Sequence, residues 1–244
     1  MNLVAGGWVL LTISLSQLLL GVVWSALLHA MHRTQAPVAL DQGYPGASVL
    51  GGLAWMVLYD GAYYAFHRAQ HCIPWLWRFH AVHHSDTAMN STTYLRQHML
   101  ESVLQSFILL LPLILVFRMS PASFLIVSLV SAGLQFWAHA DVPVHYGRGS
   151  WLLCSPLVHR VHHTRDAQVG EGNFASVFPV FDVLFGTFKA PGDRQRIATG
   201  LFDGTTWHRA RDLWCADPRD RQAMPRMVEQ DTHTSLPMDV QTLS

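Results

Sequence analysis

An all-α, integral-membrane helical bundle of about four spans is the fold class the sequence predicts, and three observations carry that prediction. Only 13% of the residues are charged, against about 25% in ordinary soluble domains. Long apolar stretches holding one ionisable residue or none recur through residues 3–28, 46–66, 102–117 and 121–138. The histidines stand at helical spacing: His67 and His71 as HxxxH, His80, His83 and His84 as HxxHH, and His159, His162 and His163 as HxxHH again. Residues i, i+3 and i+4 share one helix face, so each cluster aims two or three imidazoles at one point.

The apolar stretches come first in the chain. Residues 3–28 carry no charge and, at 1.5 Å per residue, are long enough for a bilayer core of ~30 Å. A signal peptide is disfavoured because no basic residue precedes them. Residues 46–66 form a second span broken only by Asp60. Residues 102–117 and 121–138 form a third and fourth, short for the roughly 20 residues a crossing needs, so they read as a tilted or re-entrant hairpin. Crossing or not, a hairpin returns the chain to the side it left. The histidines at 67–98 and 139–163 therefore lie on one side and can meet. That side carries Arg68, Arg78, Arg96, Arg148, Arg160 and Arg165, whereas the 28–46 connection carries only Arg33. The positive-inside rule puts the histidine side in the cytoplasm, of a bacterial inner membrane.

The second span is expected to run on as helix to about His71 and to stop before Pro74. Asp60, Tyr64, His67 and His71 then share a face. Residues 75–84 read as a short helix at the membrane surface, with Trp75 and Trp77 as interfacial anchors. Ser155-Pro156 reads as an N-cap followed by proline at the first helical position, which sets the third cluster one turn into its helix. Residues 1–217 form one domain, and the polar residues 218–244 a loose tail. Net charge is zero, which excludes an electrostatic case for nucleic acid. Cys72, Cys154 and Cys215 lack metal-ligand or redox spacing.

Eight convergent imidazoles exceed the four ligands zinc usually takes and suit two ions held close together. His98, His139 and His145 lie between the clusters, whereas His29, His32, His208 and His233 read as incidental. The zinc-protease motif HExxH, the Glu-x-x-His pair of carboxylate di-iron bundles, the Gly-x-Ser-x-Gly elbow and the Gly-x-Gly-x-x-Gly nucleotide loop are all absent. The reading that remains is a histidine-rich di-iron centre at a membrane surface, suited to dioxygen chemistry on a lipid-like substrate. A membrane metallohydrolase with a dizinc site, and a non-catalytic metal- or haem-binding membrane protein, stay open as alternatives. Asp60, a carboxylate inside an apolar span, is expected to be functional or paired. It is read as a partner that orients a metal-binding histidine from the second or third cluster, with a structural ion pair to Arg78 or Arg160 as the other reading.

From about Asp60 to Phe188 the chain resembles the fatty acid hydroxylase / sterol desaturase superfamily. Asp60-Gly-Ala-Tyr-Tyr-Ala-Phe-His67-Arg is similar to its first motif, and Leu76-Trp-Arg-Phe-His80-Ala-Val-His83-His84-Ser to its second. Thr93-Tyr-Leu-Arg96-Gln-His98-Met-Leu-Glu101 looks like its Arg-x-His-x-x-Glu segment, and Phe136-Trp-Ala-His139-Ala like the segment before the last cluster. Asn173-Phe-Ala and Phe181-Asp182-Val-Leu-Phe-Gly186-Thr-Phe resemble its closing Asn-Tyr-Gly and Trp-Asp-x-Leu-Phe-Gly-Thr elements, with Phe174, Ala175 and Phe181 departing from the usual residues.

The resemblance implies four membrane helices with a cytosolic helical cap. It implies two irons held by His67, His71, His80, His83, His84, His159, His162 and His163, with His139 as a ninth ligand, His98 as a tenth, and Asn173 close by. It implies an oxidoreductase that uses O2 and two electrons from a separate electron-transfer protein, since the chain carries no flavin, nicotinamide or haem module. Hydroxylation and desaturation of the lipid both fit.

Overall fold

The computed structural model describes residues 38–42, 46–166, 171–192 and 197–201. The expected first span at 3–28, His29, His32, His208, His233, Cys215 and the tail at 218–244 lie outside the described residues. The described part is mostly helical, with loops joining the helices. The exceptions to the all-α expectation are a two-residue parallel ladder, β1 (Val38–Ala39) against β2 (Phe117–Arg118), and an isolated antiparallel bridge between Thr164 and Thr199.

Helix α1 (Ala47–Cys72) runs from this ladder to the first histidine cluster. It stops where expected: Ile73 is extended ahead of Pro74, which occupies the first turn of α2 (Pro74–His84). After a 3-10 turn at Ser91–Leu95, α3 (Met99–Gln105) passes through one π turn (Ser106–Leu110) into α4 (Leu111–Val116). The π turn stands just before Pro112. A proline lacks the N–H and crowds the carbonyl four residues back, and a widened turn relieves both. Ser120 then caps α5 (Pro121–Ala138), its side chain accepting from the Ser123 amide. Ser155 caps α6 (Pro156–His162) in the same way, through the Val158 amide. A short α7 (Val180–Leu184) closes the described fold.

The chain returns on itself as a hairpin. The segment Met99–Val116 leads away from the histidines, and α5 leads back to them. The tip of the hairpin lies beside the start of α1, where the Ser120 amide donates to Asp41 at 2.8 Å and the Leu40 amide to Arg118 at 3.0 Å. Gly51 lets the Leu40 carbonyl lie directly on α1, since a Cβ there would strike it. Trp55, Met56, Val127 and Val177 form the core where α1, α5 and the 173–178 loop meet, with the Trp55 ring edge-on to Phe124.

Met99–Val116 and Pro121–Ala138 are each 18 residues long and apolar enough to cross a membrane. They are the only two such helices among the described residues. The expected span at 46–66 forms as helix, but Asp60 and its neighbouring tyrosines and glycines hold its hydropathy below theirs. It still carries exposed Val49, Leu50 and Leu53, just as the hairpin exposes Phe107, Ile126 and Leu129. Apolar exposure on this scale marks a surface with a non-aqueous neighbour.

Candidate metal centre

Nine histidines from four places in the fold converge, all of them buried. His67, His71, His80, His84 and His162 form one group, and His83, His139, His159 and His163 a second. In each group the ring nitrogens lie within 4.8 Å of one another. The groups adjoin, with the His84 and His163 rings stacked at 4.4 Å. The two HxxHH motifs divide in opposite ways. In α2 the i, i+4 pair His80 and His84 joins the first group and His83 the second. At α6 the pair His159 and His163 joins the second group and His162 the first.

Five rings are held by their Nδ1–H. His67 donates to the Phe174 carbonyl at 2.7 Å, His80 to Glu101 at 2.7 Å and His83 to the Arg96 carbonyl at 3.3 Å. His139 donates to the Gln135 carbonyl and His162 to the Gly172 carbonyl, both at 2.8 Å. With the proton on Nδ1, Nε2 presents a lone pair. The His67 and His80 Nε2 atoms then face each other at 2.8 Å, and those of His83 and His139 at 3.2 Å, with no proton between them. Two lone pairs so close repel unless a cation separates them. Nitrogens ~2.1 Å from one ion and at right angles around it would stand ~3 Å apart. His162 Nε2 and both ring nitrogens of His163 are buried with no hydrogen-bond partner. The donor set therefore fits two metal ions. Burial drives His80 down to about 3 and His139 to about 4, and lowers His83, His84, His159, His162 and His163 well below the usual histidine value. All are neutral at pH 7, the form that binds metal.

One expected ligand, the tenth, lies elsewhere, and so does His145. His98 caps α3, its Nδ1 accepting from the Leu100 amide at 3.1 Å, and it packs on Phe79 outside both groups. His145 is exposed and accepts from the Gly147 amide in a turn. Asp60 meets neither a histidine nor an arginine. Its buried carboxylate accepts from the amides of Ser176, Val177 and Phe178 and from the Ser176 hydroxyl, at 2.6–3.2 Å. Arg160 pairs instead with Asp141, and Arg78 lies over the Phe79 ring. Trp77, expected as an interfacial anchor, packs on His71 and His84, whereas Trp75 is exposed.

Asn173 acts through its backbone. It is the one non-glycine at positive φ among the described residues (57°), a conformation asparagine tolerates. Its side chain donates to the Val158 and Lys189 carbonyls and accepts from the Lys189 amide. The kink aims the flanking Gly172 and Phe174 carbonyls at His162 and His67. Gly172 has no room for a Cβ, which would strike the Thr187 carbonyl.

Sequence reasoning assigned no role to Glu101, Gln70, Arg96 or Asp182. Gln70 donates to Glu101 beside His80. Arg96 closes the end of α2 through Ser85 and the Val82 carbonyl. Asp182 holds the Phe174 and Ala175 amides. The available signal was Glu101 itself, a carboxylate at the head of an otherwise apolar helix. Carboxylates that fix a metal-binding histidine typically account for ~10–100-fold in metal affinity or activity. Glu101→Gln is expected to retain the fold and lose metal to a chelator faster by that order. Unchanged retention would show that Glu101 does not orient His80.

A cavity of about 410 Å³ reaches the second group, touching His83, His139 and His159. The fatty acid hydroxylase family matches residues 52–187, which is more than half of the chain and holds every histidine of both groups. Among characterised relatives, the human (Homo sapiens) alkylglycerol monooxygenase is 34% identical over 58% of this chain and 31% of its own. Ornithine lipid hydroxylase of Rhizobium tropici is 29% identical over 56% of this chain and 41% of its own. Cholesterol 25-hydroxylase of Rattus norvegicus is 24% identical over 70% of this chain and 58% of its own. The chain thus spans about a third of the length of the alkylglycerol monooxygenase it matches. No solved structure matches it.

Proposed function

The chain belongs to the fatty acid hydroxylase family, and from that premise we propose that it is a membrane-bound di-iron hydroxylase of a lipid-like substrate. Dioxygen is the co-substrate, and two electrons come from a separate carrier protein. The observation that carries this reading is the pairing of inward lone pairs at His67–His80 and His83–His139, which calls for cations at two adjoining points. His67, His71, His80, His84 and His162 hold one iron, and His83, His139, His159 and His163 the other. Iron bound there supplies the activation of dioxygen that attack on an unactivated C–H bond requires.

The chain's own residues do the rest. The carbonyls of Arg96, Gln135, Gly172 and Phe174, with Glu101, fix the rings. Trp77 and Phe174 pack over the first group and keep water from it. The second group opens to the cavity, where substrate enters. Hydroxylation is favoured over desaturation because the similar proteins are named as a monooxygenase and as hydroxylases. The arginine asymmetry supports multi-pass insertion with the site on the cytoplasmic face of a bacterial inner membrane. A reporter fused after Phe188 reads that side, and a periplasmic signal would reverse it.

The decisive experiment purifies the full chain with iron and supplies isotopically heavy dioxygen, a reductant and a membrane lipid extract. Two irons per chain, no Soret band and heavy oxygen in one lipid class are expected. Zinc in place of iron would favour the metallohydrolase, and a Soret band a haem protein. Iron without label transfer would sink the hydroxylase.

A further inference from the structure

The cavity beside the second histidine group is polar at the histidine end and apolar at the other, and three helices build it so independently. On α5, Gln135, Ser131 and Ser128 line it at 4, 8 and 11 residues before His139, followed by Phe124. On α1, Tyr63 and Tyr59 line it nearest His67, followed by Met56 and Trp55. On α3 and its π turn, Ser102, Gln105 and Ser106 come first and Leu110 last. The polar stretch extends ~10 Å along α5, at 1.5 Å per residue between Ser128 and Gln135.

The serines and glutamines stand inside the two helices that, among the described residues, are apolar enough to cross a membrane. The side chains of Gln105, Ser131 and Gln135 have no hydrogen-bond partner among the described residues. A polar side chain in such a helix is costly unless something satisfies it, and all three, half-buried, line the cavity. An alkyl chain lying here would leave them unsatisfied.

Resting on the hydroxylase reading above, we propose that the cavity receives the polar end of its lipid. A hydroxyl, ether or ester oxygen is bound by Gln105, Ser131 and Gln135, and the chain extends past Leu110 and Phe124. The carbon presented to His83, His139 and His159 then belongs to the part of the lipid nearest that oxygen. Mid-chain and chain-end carbons fall in the apolar half, away from the histidines. Gln135 and Ser131 determine specificity through the headgroup.

The test uses the full iron-loaded chain in lipid nanodiscs with two probes of equal chain length, 1-hexadecanoylglycerol and hexadecane. The glycerol ester is expected to raise the thermal midpoint saturably and hexadecane is not. Gln135→Leu should raise the half-saturating level about tenfold, the equivalent of a lost hydrogen-bond pair. The Gln135 carbonyl that holds His139 is untouched by this change, and full iron content certifies the fold. Ser131→Ala, which removes only a hydroxyl, should shift it about threefold. Equal binding of hexadecane, or unweakened binding by Gln135→Leu at full iron content, would overturn the proposal. In turnover with heavy dioxygen, label in the half of the molecule that holds the ester oxygen supports it, and label in the far half of the chain overturns it. Headgroup-dependent binding with no label in any lipid would leave the polar subsite standing and remove the hydroxylase reading alone.

Discussion

His83→Ala and His162→Ala are each expected to abolish oxidation and to lower bound iron below two per chain. The two variants sample the two groups, since His83 faces His139 in the second and His162 sits with His67 and His84 in the first. Each removes one nitrogen from a buried set. Two further variants separate ligation from mere burial. His145→Ala lies in an exposed turn and should leave iron and activity unchanged. His98→Ala removes a helix cap worth about 1 kcal/mol and should lower stability while retaining both irons. Metal analysis and turnover on the same preparations decide the matter. Full activity and two irons in either His83→Ala or His162→Ala would contradict the assignment.

Asp60→Ala is expected to cost several kcal/mol of stability. The buried carboxylate satisfies three amides and a hydroxyl from the 176–178 segment. Each buried donor left unmet costs roughly 1–3 kcal/mol, so the total reaches several kcal/mol. That is a large share of the 5–15 kcal/mol that typically holds a protein folded. At about 2–4 °C per kcal/mol for a chain of this size, the thermal midpoint should fall by roughly 10 °C or more. Iron loss should follow, because the same loop carries the Phe174 carbonyl to His67. Asp60→Asn keeps one acceptor oxygen and should fall between wild type and Asp60→Ala. A normal midpoint for Asp60→Ala would remove the carboxylate from the framework of the loop.

Much of this fold is written in local rules. Pro74, Pro121 and Pro156, with Ser120 and Ser155, fix where helices stop and start, because a proline has no amide to give and a serine hydroxyl can accept one. The HxxxH and HxxHH spacings announce convergence because helical periodicity alone puts those rings on one face. What stayed hidden depends on contacts distant in sequence. Spacing could not show that His83 leaves its cluster neighbours His80 and His84 for His139, some 56 residues away. Nothing near Asp60 points to amides 116–118 residues further on. His98 looks like a ligand by residue type, and only its place one residue ahead of α3 makes it a cap. The π turn before Pro112 is legible only in hindsight, since a proline in a helix can equally kink or end it.

The opposite division of the two HxxHH motifs bears on how the protein matures. Both α2 and the α6 segment contribute to each group, so neither half-site is complete until the two have docked. Docking for one ion builds most of the pocket for the other, and occupancy should be close to all-or-none. A titration of the metal-free chain with ferrous ion should then rise as a single sigmoid, with singly loaded protein scarce at every point. Since an ion binds the assembled arrangement and not the open one, uptake and the final closure of these helices are one equilibrium. If the two ions are iron as proposed, a cell short of iron should hold fewer mature molecules rather than many half-filled ones.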